Sequence, residues 1–231
     1  MMNKKYKILL LDADETLFDF KRSEREALTE ALQLHGITPD DRLISLYSEI
    51  NDLLWKEFER GEISKDNIRT LRFKRLSEIS GLNFNTSNIS TDYVKRLATK
   101  RYLLTGALEA CELLHRYAKL YIITNGIYTV QLSRIKQSPI AQYISDIFVS
   151  EKIGFAKPNV AYFDYVLEQI KGANREDMLV VGDSLTSDIA GGIAAGLDVC
   201  WINPEGEKAP KDMDINYNIT AISDLPELII H

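Results

Sequence analysis

The chain has 231 residues, of which 45% are hydrophobic and 27% are charged, the composition of an ordinary soluble globular protein. The formal net charge is −6 and no block of Lys or Arg occurs, so binding to polymeric nucleic acid is not indicated. The first apolar run is too short for a signal peptide or a membrane span, and we expect a cytoplasmic protein. The two cysteines lack metal-ligand and disulfide spacing, which predicts reduced core thiols.

The first predicted element is a buried strand at Ile8–Leu11, because a continuous apolar run is typical of a parallel strand covered on both faces. Apolar residues then recur every three to four positions, which predicts a block of helices. The predicted helices contain residues 27–34, 43–58, 68–79 and 91–103. Ser64 is the expected N-cap of the third helix, and residues 83–90 are expected to form a loop.

The second half of the chain alternates between strand and helix patterns. Predicted strands cover residues 120–124, 146–150, 178–181, 197–202 and 215–219, and predicted helices cover residues 108–117, 127–136, 159–171 and 188–195. Pro158 is expected in the first turn of the helix that follows it. This order predicts an α/β fold, a doubly wound, Rossmann-like parallel sheet with right-handed crossovers.

The separation between the first and second predicted strands far exceeds the roughly 30 residues of a βαβ unit. We therefore expect residues 1–17 and 104–231 to form a Rossmann-like core and residues 18–103 to be an inserted helical cap. An insertion that leaves the carboxyl end of the first strand can act as a lid over a site there. The alternative is a separate helical bundle with no part in catalysis.

Two carboxylates, Asp12 and Asp14, follow the first strand one residue apart. Ligands of open α/β sheets bind outside the carboxyl ends of the strands. Carboxylates about 4 Å apart repel by roughly 4 kcal/mol at an effective dielectric constant near 20, so the pair calls for a cation or a proton. Oxygen ligands without nearby His or Cys favour Mg²⁺. An acidic turn with no ligand is the alternative interpretation.

Two further signals lie at or beyond the ends of later predicted strands. Thr124, Asn125 and Gly126 end one strand and open a helix, where a hydroxyl and free N–H groups can hold a phosphate. The same three residues are also common in an ordinary turn. Lys157, which precedes Pro158, can neutralise a phosphoryl oxygen or Asp12, although a lone lysine is usually a solvated surface charge.

A second acidic signal follows the strand that ends at Gly182. Asp183 comes directly after this strand and Asp188 lies five positions later. We expect Asp183 to be a metal ligand, and helix capping is the alternative. If the fourth strand lies on the other side of the first, Asp12 and Asp183 flank the topological switch point.

Together these residues match four motifs in order: Asp12-Ala13-Asp14-Glu15-Thr16, then Thr124, then Lys157-Pro158, then Gly182-Asp183 with Asp188. The chain thereby resembles the haloacid dehalogenase superfamily, and the match covers most of its length. The resemblance implies that Asp12 is the nucleophile and Asp14 the acid/base. It implies that Thr124, Asn125, Gly126 and Lys157 hold the phosphate. It also implies that Asp12, Asp14 through its backbone carbonyl, and Asp183 bind Mg²⁺, with Asp188 in support through water.

One position departs from the family, whose members commonly have Gly where this chain has Glu15. The residues within the four motifs resemble those of the pyrimidine 5′-nucleotidase branch of this family. The resemblance therefore implies a Mg²⁺-dependent phosphomonoesterase that acts on small phosphate esters, most specifically nucleoside 5′-monophosphates, through an aspartyl phosphate. The enzymatic alternatives are a sugar-phosphate or phosphoglycolate phosphatase and a phosphomutase. A dehalogenase is disfavoured by Asp14, and the non-enzymatic alternatives are a receiver-like domain and a catalytically silent binding protein.

Overall fold

The structure, a computed structural model, describes residues 6–172 and 174–230. It divides into two compact units. The core unit comprises Met1–Asp19 and Arg101–His231, and the helical unit comprises Phe20–Lys100. The predicted boundaries, after residues 17 and 103, lie close to these divisions. The role of the insertion as a lid stays a prediction.

Within residues 6–172 and 174–230, the core unit contains one parallel sheet of six strands. These are β1 (Ile8–Leu11), β2 (Lys119–Thr124), β3 (Ile144–Val149), β4 (Met178–Gly182), β5 (Asp198–Ile202) and β6 (Tyr217–Ile219). Their order is β3-β2-β1-β4-β5-β6, and every neighbouring pair is parallel. Leu11 pairs with Ile122 of β2 and Val181 of β4, so the three strands end side by side. The doubly wound sheet is confirmed, and β1 lies at its topological switch point.

The helical unit contains α1 (Phe20–Leu34), α2 (Asp41–Glu59), α3 (Lys65–Ser80) and α4 (Thr86–Leu97). Ser64 caps α3 as predicted, in a capping box with Asn67. The prediction for α4 was wrong at both ends, because the helix begins inside the expected loop 83–90 and ends before residue 98. Asn85 caps it by accepting a hydrogen bond from the Asn88 N–H. The first turn is rich in Thr, Ser and Asn, whose low helix propensity resembles a loop signal.

The remaining helices belong to the core unit: α5 (Ala107–Leu114), α6 (Tyr128–Lys136), α7 (Ser150–Ile153), α8 (Val160–Gln169), α9 (Ala190–Ala194) and α10 (Leu225–Ile230). Asn159 is the N-cap of α8, so Pro158 precedes the cap instead of lying in the first turn as predicted. The Lys157–Pro158 peptide bond is cis. A π-helical turn at Leu185–Ile189 precedes α9, where the sequence predicts a plain helix from residue 188.

Alternate residues of β1 enter two different hydrophobic layers. Leu9 and Leu11 pack into the layer that contains α5, and Ile8 and Leu10 pack into the layer that contains α8. Both faces of β1 are therefore covered, as its continuous apolar run predicts. Among residues 6–172 and 174–230, none of the helices combines the length and the apolar character that crossing a bilayer requires.

Candidate active site

The carboxyl ends of three adjacent strands bring the predicted site residues together. Asp12 follows β1, Thr124 is the last residue of β2, and Asp183 follows β4. The backbone N–H of Asp12 donates to the Val181 carbonyl at 2.8 Å, which continues the ladder between β1 and β4 by one residue. The sheet itself therefore sets the separation between Asp12 and Asp183.

Lys157 lies buried against this end of the sheet. Its Nζ is 2.6 Å from Asp12 Oδ1, 2.6 Å from Asp188 Oδ1 and 3.0 Å from the Ile123 carbonyl. Burial alone would lower the pKa of Lys157, but the two carboxylates outweigh it and raise the pKa above its ordinary value. All three ammonium hydrogens have acceptors in this arrangement, which favours the role of neutralising Asp12. Direct contact between Lys157 and phosphate stays a prediction.

Asn125 holds the backbone of Lys157. Its side-chain Nδ2 donates to the Lys157 carbonyl at 2.8 Å, and its Oδ1 accepts from the Lys157 N–H at 3.0 Å. This pair of hydrogen bonds ties the loop before α8 to the end of β2. The side-chain amide of Asn125 is therefore used to position Lys157, and phosphate binding by Asn125 stays a prediction.

Three carboxylates form a compact acidic cluster, which we call the Asp12 cluster: Asp12, Asp183 and Asp188. One oxygen from each lies within 4.8 Å of the other two. Burial, with Asp188 as the second cause, raises the pKa of Asp183 to about 7. Burial also raises the pKa of Asp12 well above its usual range, although Lys157 opposes this shift. When all three carboxyl groups are ionised, they and the Lys157 ammonium leave two excess negative charges, which a divalent cation with oxygen ligands can balance.

The local backbone and neighbouring side chains position the carboxylates of Asp183 and Asp188. A Cβ at Gly182 would lie 2.3 Å from Asp188 Oδ2, so only glycine allows this carboxylate to approach the end of β4. Asp188 lies in the π-helical turn, a feature that is frequent at functional sites. Thr16 Oγ1 is 3.5 Å from Asp183 Oδ1, and the indole of Trp201 donates to the Asp183 carbonyl. Sequence reasoning gave Thr16 and Trp201 no positioning role.

The side chain of Asp14 does not belong to the Asp12 cluster. Its Oδ2 accepts a hydrogen bond of 2.6 Å from Gln131 Nε2, and its Oδ1 lies 2.5 Å from Arg134 Nη1. Gln131 and Arg134 are buried residues of α6 that the motifs did not identify. Their signal in the sequence is a pair of polar residues, three apart, on the same face as apolar Val130 and Ile135.

Thr124 connects Asp14 to the predicted phosphate position. Its Oγ1 accepts from the Gly126 N–H at 3.0 Å and from Gln131 Nε2 at 3.2 Å. A hydroxyl has two acceptor positions and one donor, so the Thr124 hydrogen is left to donate to another oxygen. A Cβ at Gly126 would lie 2.2 Å from Gln131 Nε2, so glycine at this position leaves room for the Gln131 amide to reach Asp14. Phosphate binding by Thr124 and Gly126 stays a prediction.

The sequence of the chain matches the family model for haloacid dehalogenase-like hydrolases over residues 6–196. The chain belongs to this family. It is 35% identical to the HAD-hydrolase YfnB of Bacillus subtilis over 98% of this chain and 96% of that protein. A crystal structure of YfnB bound to magnesium superposes with a TM-score of 0.92, covering 98% of this chain and 99% of YfnB.

Two further relatives are pyrimidine 5′-nucleotidases. PynA of Streptococcus pneumoniae is 35% identical over 95% of this chain and 93% of its own length. YjjG of Escherichia coli is 31% identical over 97% of this chain and 98% of its own length. The resemblance drawn from the four motifs is thereby confirmed at the level of the family, and the chain is a haloacid dehalogenase-like hydrolase.

Proposed function

We propose that this hydrolase is a phosphomonoesterase that cleaves nucleoside 5′-monophosphates, with pyrimidine nucleotides preferred, through an aspartyl phosphate on Asp12. One observation carries the proposal: a buried carboxylate, Asp12, contacts a lysine and clusters with two further carboxylates, while a separate carboxyl group, Asp14, shares the donor Gln131 with Thr124. The first group suits nucleophilic attack, and the second suits proton transfer. The names of PynA and YjjG support the choice of pyrimidine nucleotides.

The Asp12 cluster fits Mg²⁺. Asp12 and Asp183 would hold the ion with the backbone carbonyl of Asp14. Asp188, which has an oxygen within 4.8 Å of an oxygen of each of the other two carboxylates, would support the ion directly or through water. When bound, Mg²⁺ would neutralise the charge of the phosphate and of the nucleophile. The crystal structure of YfnB bound to magnesium supports the choice of this ion.

In the first step, an Asp12 oxygen forms a bond to phosphorus while the bond from phosphorus to the ester oxygen breaks. Asp14 gives its proton to the departing alkoxide, so no free alkoxide is released. Lys157 fixes Asp12 Oδ1 at 2.6 Å and thereby orients the nucleophile. The Thr124 hydroxyl donates its remaining hydrogen to a phosphoryl oxygen, where charge accumulates during transfer.

In the second step, Asp14 is a carboxylate and accepts a proton from water. The water oxygen attacks phosphorus, the bond from phosphorus to Asp12 breaks, and inorganic phosphate leaves. Asp14 then carries the proton needed for the next cycle. Both carboxyl groups return to their starting protonation, and the net reaction consumes one water per ester.

The experiment is phosphate release by the purified full-length protein. Substrates are p-nitrophenyl phosphate, pyrimidine and purine nucleoside 5′-monophosphates, sugar phosphates and phosphoglycolate, each with EDTA and with added Mg²⁺. We expect Mg²⁺-dependent release, fastest with pyrimidine nucleotides, and none from Asp12→Asn. The variant Asp146→Asn, at an exposed carboxyl of β3, is the matched control and should retain activity. Faster turnover of sugar phosphates or phosphoglycolate than of nucleotides would contradict the substrate assignment. Activity in Asp12→Asn would contradict the assignment of Asp12 as the nucleophile.

A further inference from the structure

We propose that Gln131 and Arg134 are positioning residues that aim the Asp14 carboxyl group at the ester oxygen of the bound substrate. The proposal rests on the phosphatase function argued above and deepens it. It concerns two residues of α6 that lie outside the four motifs. Neither residue is required to touch the reacting atoms, and both act through Asp14.

The two side chains hold both oxygens of one carboxyl group. Arg134 Nη1 is 2.5 Å from Oδ1, and Gln131 Nε2 is 2.6 Å from Oδ2. Rotation of the Asp14 carboxyl group would stretch or break both hydrogen bonds at once. A donor on each oxygen therefore fixes the orientation of the group, which a single donor would not do.

The same Gln131 nitrogen also ties Asp14 to the predicted phosphate position. It donates to Thr124 Oγ1 at 3.2 Å as well as to Asp14. Asp14 and Thr124 thus share one donor group, which sets the position of the acid/base relative to the residue that holds the phosphoryl oxygens. Proton transfer to a leaving group depends on such alignment, because small displacements of the reacting groups cost large factors in rate.

Arg134 is a buried cation whose guanidinium is held against the turn that carries Asp14. Its side chain has no solvent exposure, and its guanidinium lies 4.9 Å from the centre of the Phe18 ring. Phe18 closes the turn that carries Asp14, because its N–H donates to the Ala13 carbonyl and its carbonyl accepts from the Glu15 N–H. Arg134 therefore contacts this turn at two places. The Asp14 side chain keeps 26% exposure, which leaves it accessible to a substrate.

A displaced Asp14 should affect alkyl and aryl esters differently, whereas a general loss of structure should affect both equally. In the first step, the bond from phosphorus to the ester oxygen breaks and the Asp14 proton passes to that oxygen. An alkoxide needs this proton, whereas p-nitrophenolate is stable enough to leave without it. In the second step, Asp14 takes a proton from water whatever the leaving group was. A displaced Asp14 therefore slows phosphoenzyme formation only from alkyl esters and slows phosphoenzyme hydrolysis for all substrates.

The test compares kcat/KM for an alkyl ester, a pyrimidine nucleoside 5′-monophosphate, with kcat/KM for p-nitrophenyl phosphate. The variants are Arg134→Met, Arg134→Lys and Gln131→Met, with Lys136→Met as the matched control at an exposed cation of the same helix. For Arg134→Met we expect kcat/KM to fall about 10²-fold with the nucleotide and to stay near the wild-type value with the aryl ester. The aryl ester should also give a burst of about one equivalent of p-nitrophenolate per active site, because phosphoenzyme hydrolysis becomes rate-limiting.

Arg134→Lys keeps the charge and should recover part of the loss, and Gln131→Met should act in the same direction as Arg134→Met. If Arg134→Met does not fold, by circular dichroism and gel filtration, Gln131→Met and Arg134→Lys decide the question. If the wild-type enzyme is active and the variants lose kcat/KM equally with both esters, or lose none with either, the inference is overturned and the proposed function is unaffected. A wild-type protein that hydrolyses neither ester would instead overturn the proposed function, on which the inference depends.

Discussion

Trp201 donates its indole N–H to the backbone carbonyl of Asp183 at 2.9 Å. Trp201 lies in β5 directly opposite Gly182, so the hydrogen bond crosses from one strand to the turn that follows its neighbour. This turn carries the Asp183 carboxylate into the Asp12 cluster. A residue outside the four motifs thereby orients a predicted metal ligand, as outer residues do at many metal sites.

Replacing Trp201 with Phe should weaken Mg²⁺ binding. The substitution keeps most of the apolar volume and removes the hydrogen bond that fixes the Asp183 turn. We expect the Mg²⁺ dissociation constant, measured by isothermal titration calorimetry, to rise roughly tenfold. The free energy of unfolding should fall by about 1 kcal/mol. Trp55→Phe in α2 is the matched control, and equal Mg²⁺ affinity of the two variants would contradict the role of Trp201.

Replacing Lys157 with Met should destabilise the protein and make its melting temperature more dependent on Mg²⁺. Without the ammonium, Asp12 and Asp188 are buried carboxylates with no cation, and removing one partner of a buried ion pair costs about 3–5 kcal/mol. We expect a large drop in melting temperature in EDTA. Added Mg²⁺ should raise the melting temperature of this variant more than that of the wild type, because bound cation stabilises the folded protein. Lys152→Met, at an exposed lysine of α7, is the control, and an equal response to Mg²⁺ in all three proteins would contradict this account.

The sequence predicted the parts of the molecule that depend on local pattern. The apolar run of β1 and the strands after it have short-range signals, and residues at the ends of neighbouring parallel strands must converge, so Asp12, Thr124 and Asp183 were predictable. Gln131 and Arg134 have a local signal for the buried face of α6, but their contact with Asp14 was not predictable. Which face of α6 meets Asp14 depends on how that helix packs against a turn more than a hundred residues earlier in the chain. The roles of Lys157 and Asn125 were likewise underdetermined. The Asn125 side chain binds the backbone of Lys157, and the Lys157 ammonium binds Asp12, and both contacts join residues far apart in the chain.

Replacing Asp14 with Asn should separate the two chemical steps. Asn cannot give or accept the proton, but Asp12 and its contact with Lys157 are retained. With p-nitrophenyl phosphate we expect phosphoenzyme to form and persist, while steady-state turnover falls about 10²- to 10⁴-fold. Acid-quenched protein labelled with ³²P from an aryl phosphate measures the intermediate, and Asp12→Asn should carry no label. Wild-type turnover in Asp14→Asn would show that another group transfers the proton.

The helical unit contains a buried carboxyl group, Glu24. Its side chain accepts hydrogen bonds from Ser48 Oγ at 2.6 Å and from Asn51 Nδ2 at 2.9 Å. Burial is the main cause that raises the pKa of Glu24 from 4.5 to about 7. The nearby charge of Asp52 raises the pKa further, and the hydrogen bonds and the charge of Arg72 lower it without cancelling the effect of burial.

Glu24 should make the protein less stable as the pH rises. Between pH 4.5 and about 7 the folded protein keeps a proton that the unfolded chain has released, so the free energy of unfolding falls across this range and levels off above it. The full effect of a shift of this size is roughly 3 kcal/mol. Glu24→Gln should remove most of this slope and be more stable than the wild type at pH 8, measured by urea unfolding at several pH values. Glu49→Gln, at an exposed carboxyl of α2, should keep the wild-type slope, and parallel profiles for Glu24→Gln and the wild type would show that Glu24 ionises normally.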